Sequence, residues 1–94
     1  MTHIVMYKFS EKGYKPEYKE MAEKAFSDVK RDINGVTDVK VYHNCTTRPV
    51  NYDLMVMISL TDDTALQEYL VHPSHKAFSK EMDKYITDKA RFDY

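Results

Sequence analysis

Cysteine occurs once in this 94-residue chain, tryptophan never, glycine twice and proline three times. With Cys45 alone, no intrachain disulfide can form; this excludes the stapled scaffolds of small secreted domains and points to a reducing, cytoplasmic setting. Two glycines cannot build a glycine-rich phosphate loop, and neither a Cys-x-x-Cys pair nor a nucleophile elbow is present. An excess of one charge is missing as well. The 14 basic and 15 acidic side chains are interspersed and sum to −1, so no basic stripe awaits nucleic acid or an anionic lipid surface. No apolar run approaches the ~20 residues of a membrane-spanning helix. A strand-like pattern starts directly after Met1-Thr2, without the pattern of a signal peptide.

What remains is rich in apolar and aromatic residues: 43% of the chain is hydrophobic, with eight tyrosines and six methionines. Its length is that of one domain, residues 1–94, with a core made marginal by surface-to-volume scaling. Burial against a second copy is the expected remedy.

The residues His3 to Phe9 are β-branched, aromatic and apolar, and predict a strand. A loop follows over Ser10 to Lys15. Pro16 suits the start of a helix, and Glu17 and Glu20 suit its positive end. Tyr18, Met21, Ala22, Ala25, Phe26, Val29 and Ile33 recur at helical spacing, and Asn34-Gly35 predicts a stop with a residue in left-handed conformation. Val36 to Cys45 alternates as an edge strand would, with Cys45 read as a buried or half-exposed strand residue. Thr46 to Asn51 forms the turn, and Tyr52 to Leu60 is a second strongly apolar strand. Asp62 or Asp63 is placed to cap a short helix ending near Leu70. Pro73 interrupts it, a further helix is expected over Ser74 to Thr87, and Lys89 to Tyr94 closes the chain as a strand.

The order β-α-β-β-α-α-β is that of an α+β, ferredoxin-like split β-α-β fold whose second helix is broken in two. Its central strands should be the first and third, which are the two most apolar here. On the first, Val5, Tyr7 and Phe9 share one face and Ile4 and Met6 the other. On the third, Leu54, Val56, Ile58 and Leu60 oppose Met55 and Met57. A sheet with helices on one side and water on the other alternates apolar with polar. Here both faces are apolar, which predicts a homodimer closed through Ile4, Met6, Met55 and Met57.

The segment Tyr69-Leu70-Val71-His72-Pro73-Ser74-His75 holds the main site candidates. Tyr69 falls on the apolar side of its helix, one turn after Ala65 and Leu66. His75 opens the next helix on the stripe continued by Phe78 and Met82, where the helix N-terminus favours a neutral imidazole. A neutral histidine accepts a proton, and a neighbouring phenol can hydrogen-bond a developing oxyanion. The same residues also fit a purely structural role. His72, before Pro73, should end the short helix or sit in solvent. Its spacing from His75 across a proline makes no metal site, so no metal and no cofactor are expected. His3 shares the face of Val5 and Tyr7 and belongs either at a pocket rim or at an exposed strand end. His43 reads as surface.

The strand His3-Ile4-Val5-Met6-Tyr7-Lys8-Phe9, the segment Tyr69 to His75 and the terminal Phe92-Asp93-Tyr94 together resemble the stress-responsive A/B barrel domain (Dabb) family, over essentially the whole chain. The resemblance implies a ferredoxin-like domain whose sheets pair into a dimeric α/β barrel. The family includes a plant polyketide cyclase that closes a ring by aldol condensation without cofactor or metal. Its catalytic histidine corresponds to His75, its catalytic tyrosine to Tyr69 and its first-strand histidine to His3. Leu54 stands where that cyclase carries a further pocket histidine. A helix–sheet cavity would then be lined by His3, Val5, Tyr7, Phe26, Leu54 and Phe78. Three functions stay open: binding of a small apolar molecule in that cavity, a cofactor-free lyase or cyclase with His75 as base, and cofactor-independent oxygenation as in dimeric barrels of similar architecture.

Overall fold

A computed structural model describes residues 1–10 and 13–94; Glu11 and Lys12, within the loop expected over Ser10 to Lys15, lie outside the described residues. Seven elements follow in the expected order: β1 (Thr2–Phe9), α1 (Glu17–Asp32), β2 (Val36–His43), β3 (Leu54–Leu60), α2 (Asp63–Val71), α3 (Pro73–Met82) and β4 (Ile86–Asp93). The strands form one antiparallel sheet in the order β2-β3-β1-β4, so the two most apolar strands are central. This is the ferredoxin-like α+β fold.

Period-two burial along β1 and β3 separates the two faces. Val5, Tyr7, Phe9, Leu54, Val56, Ile58 and Leu60 are buried beneath the helices, packed with Ala22, Phe26, Val29, Phe78 and Met82. On the other face Ile4, Met6, Met55 and Met57 are only half-buried, and Tyr42 and Phe92 are exposed beside them. Register puts Ile4 between Met57 and Phe92, and Met6 beside Met55. The second face is therefore a continuous apolar surface.

The helix ends explain several departures from expectation. Helix α1 begins at Pro16 and carries acidic residues first and basic residues last, as the macrodipole favours. Met21, expected on its buried stripe, is 40% exposed. No described residue has a positive φ, so the helix stops without a left-handed cap: Ile33 turns extended and its N–H donates to the Val29 carbonyl. Gly35 answers a close approach instead, because a Cβ there would lie 2.5 Å from the Ala65 Cβ. Asp62, not Asp63, caps α2 by accepting the Ala65 N–H at 2.9 Å.

Helix α3 ends at Met82 rather than near Thr87. Tyr85 and Ile86 continue its apolar spacing, but Ile86 pairs with Phe9 at the start of β4 and Tyr85 stacks on Tyr18. Sheet pairing overrides the helical period there. Cys45 lies beyond the end of β2 and is exposed, not a half-buried strand residue. His43 is exposed, as its place on the edge strand implied.

Candidate functional site

The break between α2 and α3 organises the site. Pro73 sits in the first turn of α3, where its missing N–H costs nothing. His72 is not in solvent: its Nδ1 accepts the Ser74 N–H at 3.0 Å and caps α3, while its Nε2 meets Asp32 at 2.8 Å. An Nδ1 that accepts leaves the proton on Nε2, so the ring donates to the carboxylate and ties the junction to the end of α1. Hydrogen bonds from Arg31 and then His72 hold the Asp32 carboxyl down at about 2. His72 is thus committed to structure.

One turn further on, His75 carries the opposite tautomer. Its Nδ1 faces the Leu70 carbonyl at 3.3 Å, and a carbonyl only accepts. The proton therefore sits on Nδ1, which leaves the Nε2 lone pair facing the Ser79 hydroxyl at 3.4 Å. Burial holds the His75 pKa below its ordinary 6.5; the Leu70 hydrogen bond opposes this, and the nearby cation Lys89 reinforces it. The neutral form, with Nε2 unprotonated and accepting only a long contact from Ser79, is the one favoured at pH 7.

Tyr69 comes from α2 and is 1% exposed, with its ring centroid 4.4 Å from that of His75. Burial pushes its phenol far above the ordinary 10.0, so it is a hydrogen-bond donor throughout the neutral range. Tyr7, on β1, is raised in the same way and for the same first cause. His3 is 4% exposed, which rules out the open strand end. Its Nδ1 pairs with the Asp93 carboxylate of β4, and its ring lies 5.6 Å from that of Tyr69.

These groups surround one cavity of about 70 Å³. Strand β1 supplies His3, Val5 and Tyr7; the helices supply Tyr69, Leu70, His75 and Ser79; β4 supplies Lys89 and Arg91. Phe26, Leu54 and Phe78, grouped with the site from sequence, do not line it. Phe26 is fully buried behind the Tyr69 and His75 rings, Phe78 packs edge-on to Tyr7, and Leu54 is buried in β3. The space expected between helices and sheet is filled by these side chains.

Sequence reasoning passed over Ser79, Lys89 and Arg91. Ser79 had a signal, since it stands four residues after His75 and so on the same helix face. The β4 cations had half of one: their alternation with Ala90 and Phe92 was visible, but which set faces the helices was not. Among the described residues no cluster of three metal-ligating side chains occurs, and no helix is long and apolar enough to cross a membrane.

Comparison with known proteins extends this picture. The model of the stress-responsive A/B barrel domain family matches residues 1–94. The chain belongs to that family. A search of curated proteins found no match. Among solved structures, the barrel domain superposes on a dimeric ferredoxin-like protein of unknown function from Thermobifida fusca with a TM-score of 0.81 at 19% identity, covering 99% of this chain and 87% of that one. A Bacteroides thetaiotaomicron protein described as an antibiotic biosynthesis monooxygenase gives 0.80 at 15% identity, covering 100% and 86%. Hydroxynitrile lyase from Passiflora edulis gives 0.73 at 10% identity, covering 99% and 89%. At such identities the likeness carries the fold of the barrel domain and not its chemistry.

Proposed function

We propose that this chain is a homodimeric, cofactor-independent acid–base protein of the cytoplasm, acting on a small carbonyl compound in the His75–Tyr69 cavity. One observation carries the reading: a neutral histidine whose unprotonated Nε2 meets only the Ser79 hydroxyl, at 3.4 Å, shares a cavity with a phenol that stays protonated. His75 Nε2 removes a proton from a carbon beside a carbonyl, and the electron pair moves onto the carbonyl oxygen. Tyr69 donates a hydrogen bond to that oxygen. General-base catalysis of this kind contributes roughly 10²–10⁴-fold.

The cavity volume sets the scale of the ligand. Drug-sized ligands occupy about 300–1,000 Å³, so about 70 Å³ suits a molecule of a few heavy atoms. A bulky apolar ligand or a long polyketide chain is disfavoured by the same volume. That a structurally similar protein is a hydroxynitrile lyase is consistent with small-molecule proton chemistry on this fold. The half-buried apolar face around Ile4, Met6, Met55 and Met57 supports pairing of two sheets, in line with the dimeric relative. An exposed lone thiol at Cys45 suits a reducing compartment.

The test follows deuterium uptake into the methyl groups of acetone or butane-2,3-dione in D₂O by proton NMR. Exchange above the buffer rate in the wild type, reduced about 10²-fold or more in His75→Ala with the fold intact, is the expected result. Equal exchange rates in the two proteins defeat the assignment.

A further inference from the structure

The helix-side face of β4 presents three charges in a row, Lys89, Arg91 and Asp93, beside the cavity-floor residues Tyr7, Val5 and His3 of β1. The outer two have partners. Lys89 Nζ meets Asp83 at 3.1 Å, and the Asp93 carboxylate is taken by His3. Arg91, between them, lines the cavity and has neither an ion pair nor a side-chain hydrogen bond among the described residues. Its charge is felt inside, since it opposes the upward shifts of both Tyr7 and Tyr69. A guanidinium fork is matched in geometry to a carboxylate, and no carboxylate among the described residues pairs with it.

From this row of charges we infer that the cavity takes a short oxo-carboxylic acid: Arg91 binds the carboxylate while the carbonyl end enters towards Tyr69 and His75. The inference rests on the acid–base reading above and adds the substrate class. A few heavy atoms fill about 70 Å³, which leaves room for a carbonyl, a carboxylate and one or two further carbons. The anionic end also accounts for the two cations, Lys89 and Arg91, that line a cavity for carbonyl chemistry. In the step itself, the C–H bond beside the carbonyl breaks, its proton moves to His75 Nε2, and its electron pair forms the enol double bond as the carbonyl pair passes to oxygen. Return of the proton to carbon or oxygen completes a keto–enol exchange with no other reactant.

Pyruvate and butane-2,3-dione make the test pair, because they share size and enolisable methyl protons and differ in charge. Binding is followed by chemical-shift titration of the intact protein, with Arg91→Gln and Lys89→Gln as variants at exposed or partly exposed edge positions. Pyruvate should bind about tenfold or more tightly than the dione, Arg91→Gln should remove that advantage, and Lys89→Gln should matter less. Equal affinity for the two ligands, no binding of pyruvate, or an Arg91→Gln protein that keeps the full preference overturns the inference. The two readings fail separately. Loss of the pyruvate preference with dione exchange still dependent on His75 removes only the carboxylate site. An Arg91-dependent preference with exchange indifferent to His75→Ala keeps the anion site and removes the base.

Discussion

The His75 imidazole and the Tyr69 phenol lie 4.4 Å apart, centroid to centroid, although they belong to different helices separated by a proline break. The contact depends on Pro73 and on the His72 cap, which turn α3 so that its first apolar position meets the last buried position of α2. Because that contact buries the imidazole, its folded pKa falls below the unfolded 6.5. Below 6.5 the unfolded chain takes up a proton that the folded chain resists, so stability is fully present above that pH and declines as pH falls through it. Nitrogen-15 NMR should show His75 with its proton on Nδ1 and a titration midpoint below 6.5. The stability loss between pH 7.5 and 5.5, followed by urea unfolding, should shrink in His75→Gln. A midpoint at or above 6.5 contradicts the burial argument.

Phe26 distinguishes a wall of packed core from a ligand surface. It is fully buried and touches the rings of Tyr69, His75 and Phe78. As core, its replacement by Ala leaves a cavity and costs about 3–5 kcal/mol. As the lining of an open pocket, it would cost far less and would enlarge the space for substrate. Chemical denaturation of Phe26→Ala should give the larger value, together with broadened His75 signals as the backing of the ring is lost.

The fold was legible because its signals are periodic and mutually consistent. Two apolar strands at the sheet centre, an amphipathic α1 and a proline break all point the same way, and each was readable from spacing alone. The misreadings occurred where tertiary pairing decides. Tyr85 and Ile86 extend the period of α3 yet belong to the turn and to β4, since Phe9 claims Ile86. The site was legible as far as Tyr69, His75 and His3, whose unusual residue types mark them. Arg91 was not, because a cation on an edge strand looks like any solvated charge until the partners of its neighbours are known.

Steric contact, not backbone conformation, accounts for Gly35. Its carbonyl accepts the Thr61 N–H at 2.8 Å, drawing the α1–β2 turn against the start of α2. A Cβ at this position would meet the Ala65 Cβ at 2.5 Å and the Thr61 Oγ1 at 2.8 Å. The threonine hydroxyl can rotate away, whereas the Ala65 Cβ moves only with its helix. Gly35→Ala should therefore destabilise by about 1–3 kcal/mol, the range of overpacking. The double variant with Ala65→Gly should recover part of the loss. Equal stability of Gly35→Ala and wild type would return the position to an ordinary turn.

The last prediction concerns the face opposite the site. Ile4 and Met57 are register partners at the middle of the sheet, flanked by Met6, Met55 and the 64% exposed Phe92. A single chain leaves this surface in water, while a second copy placed face to face removes it from solvent. Specific interfaces bury about 1,200–2,000 Å² in total, and a central position in such a patch is where a charge is hardest to accommodate. In Met57→Lys an ammonium must be buried without a partner or the two sheets must part, and parting is cheaper. The substitution lies on the sheet face away from the helices, so the monomer core is untouched. Sedimentation at micromolar concentration should therefore give twice the monomer mass for the wild type and the monomer mass for Met57→Lys, with unchanged far-ultraviolet circular dichroism. A substitution at exposed Lys30, on helix α1 across the sheet from this face, serves as control and should leave the dimer in place. A wild type that sediments as a monomer leaves the apolar face unexplained and ends the dimer proposal.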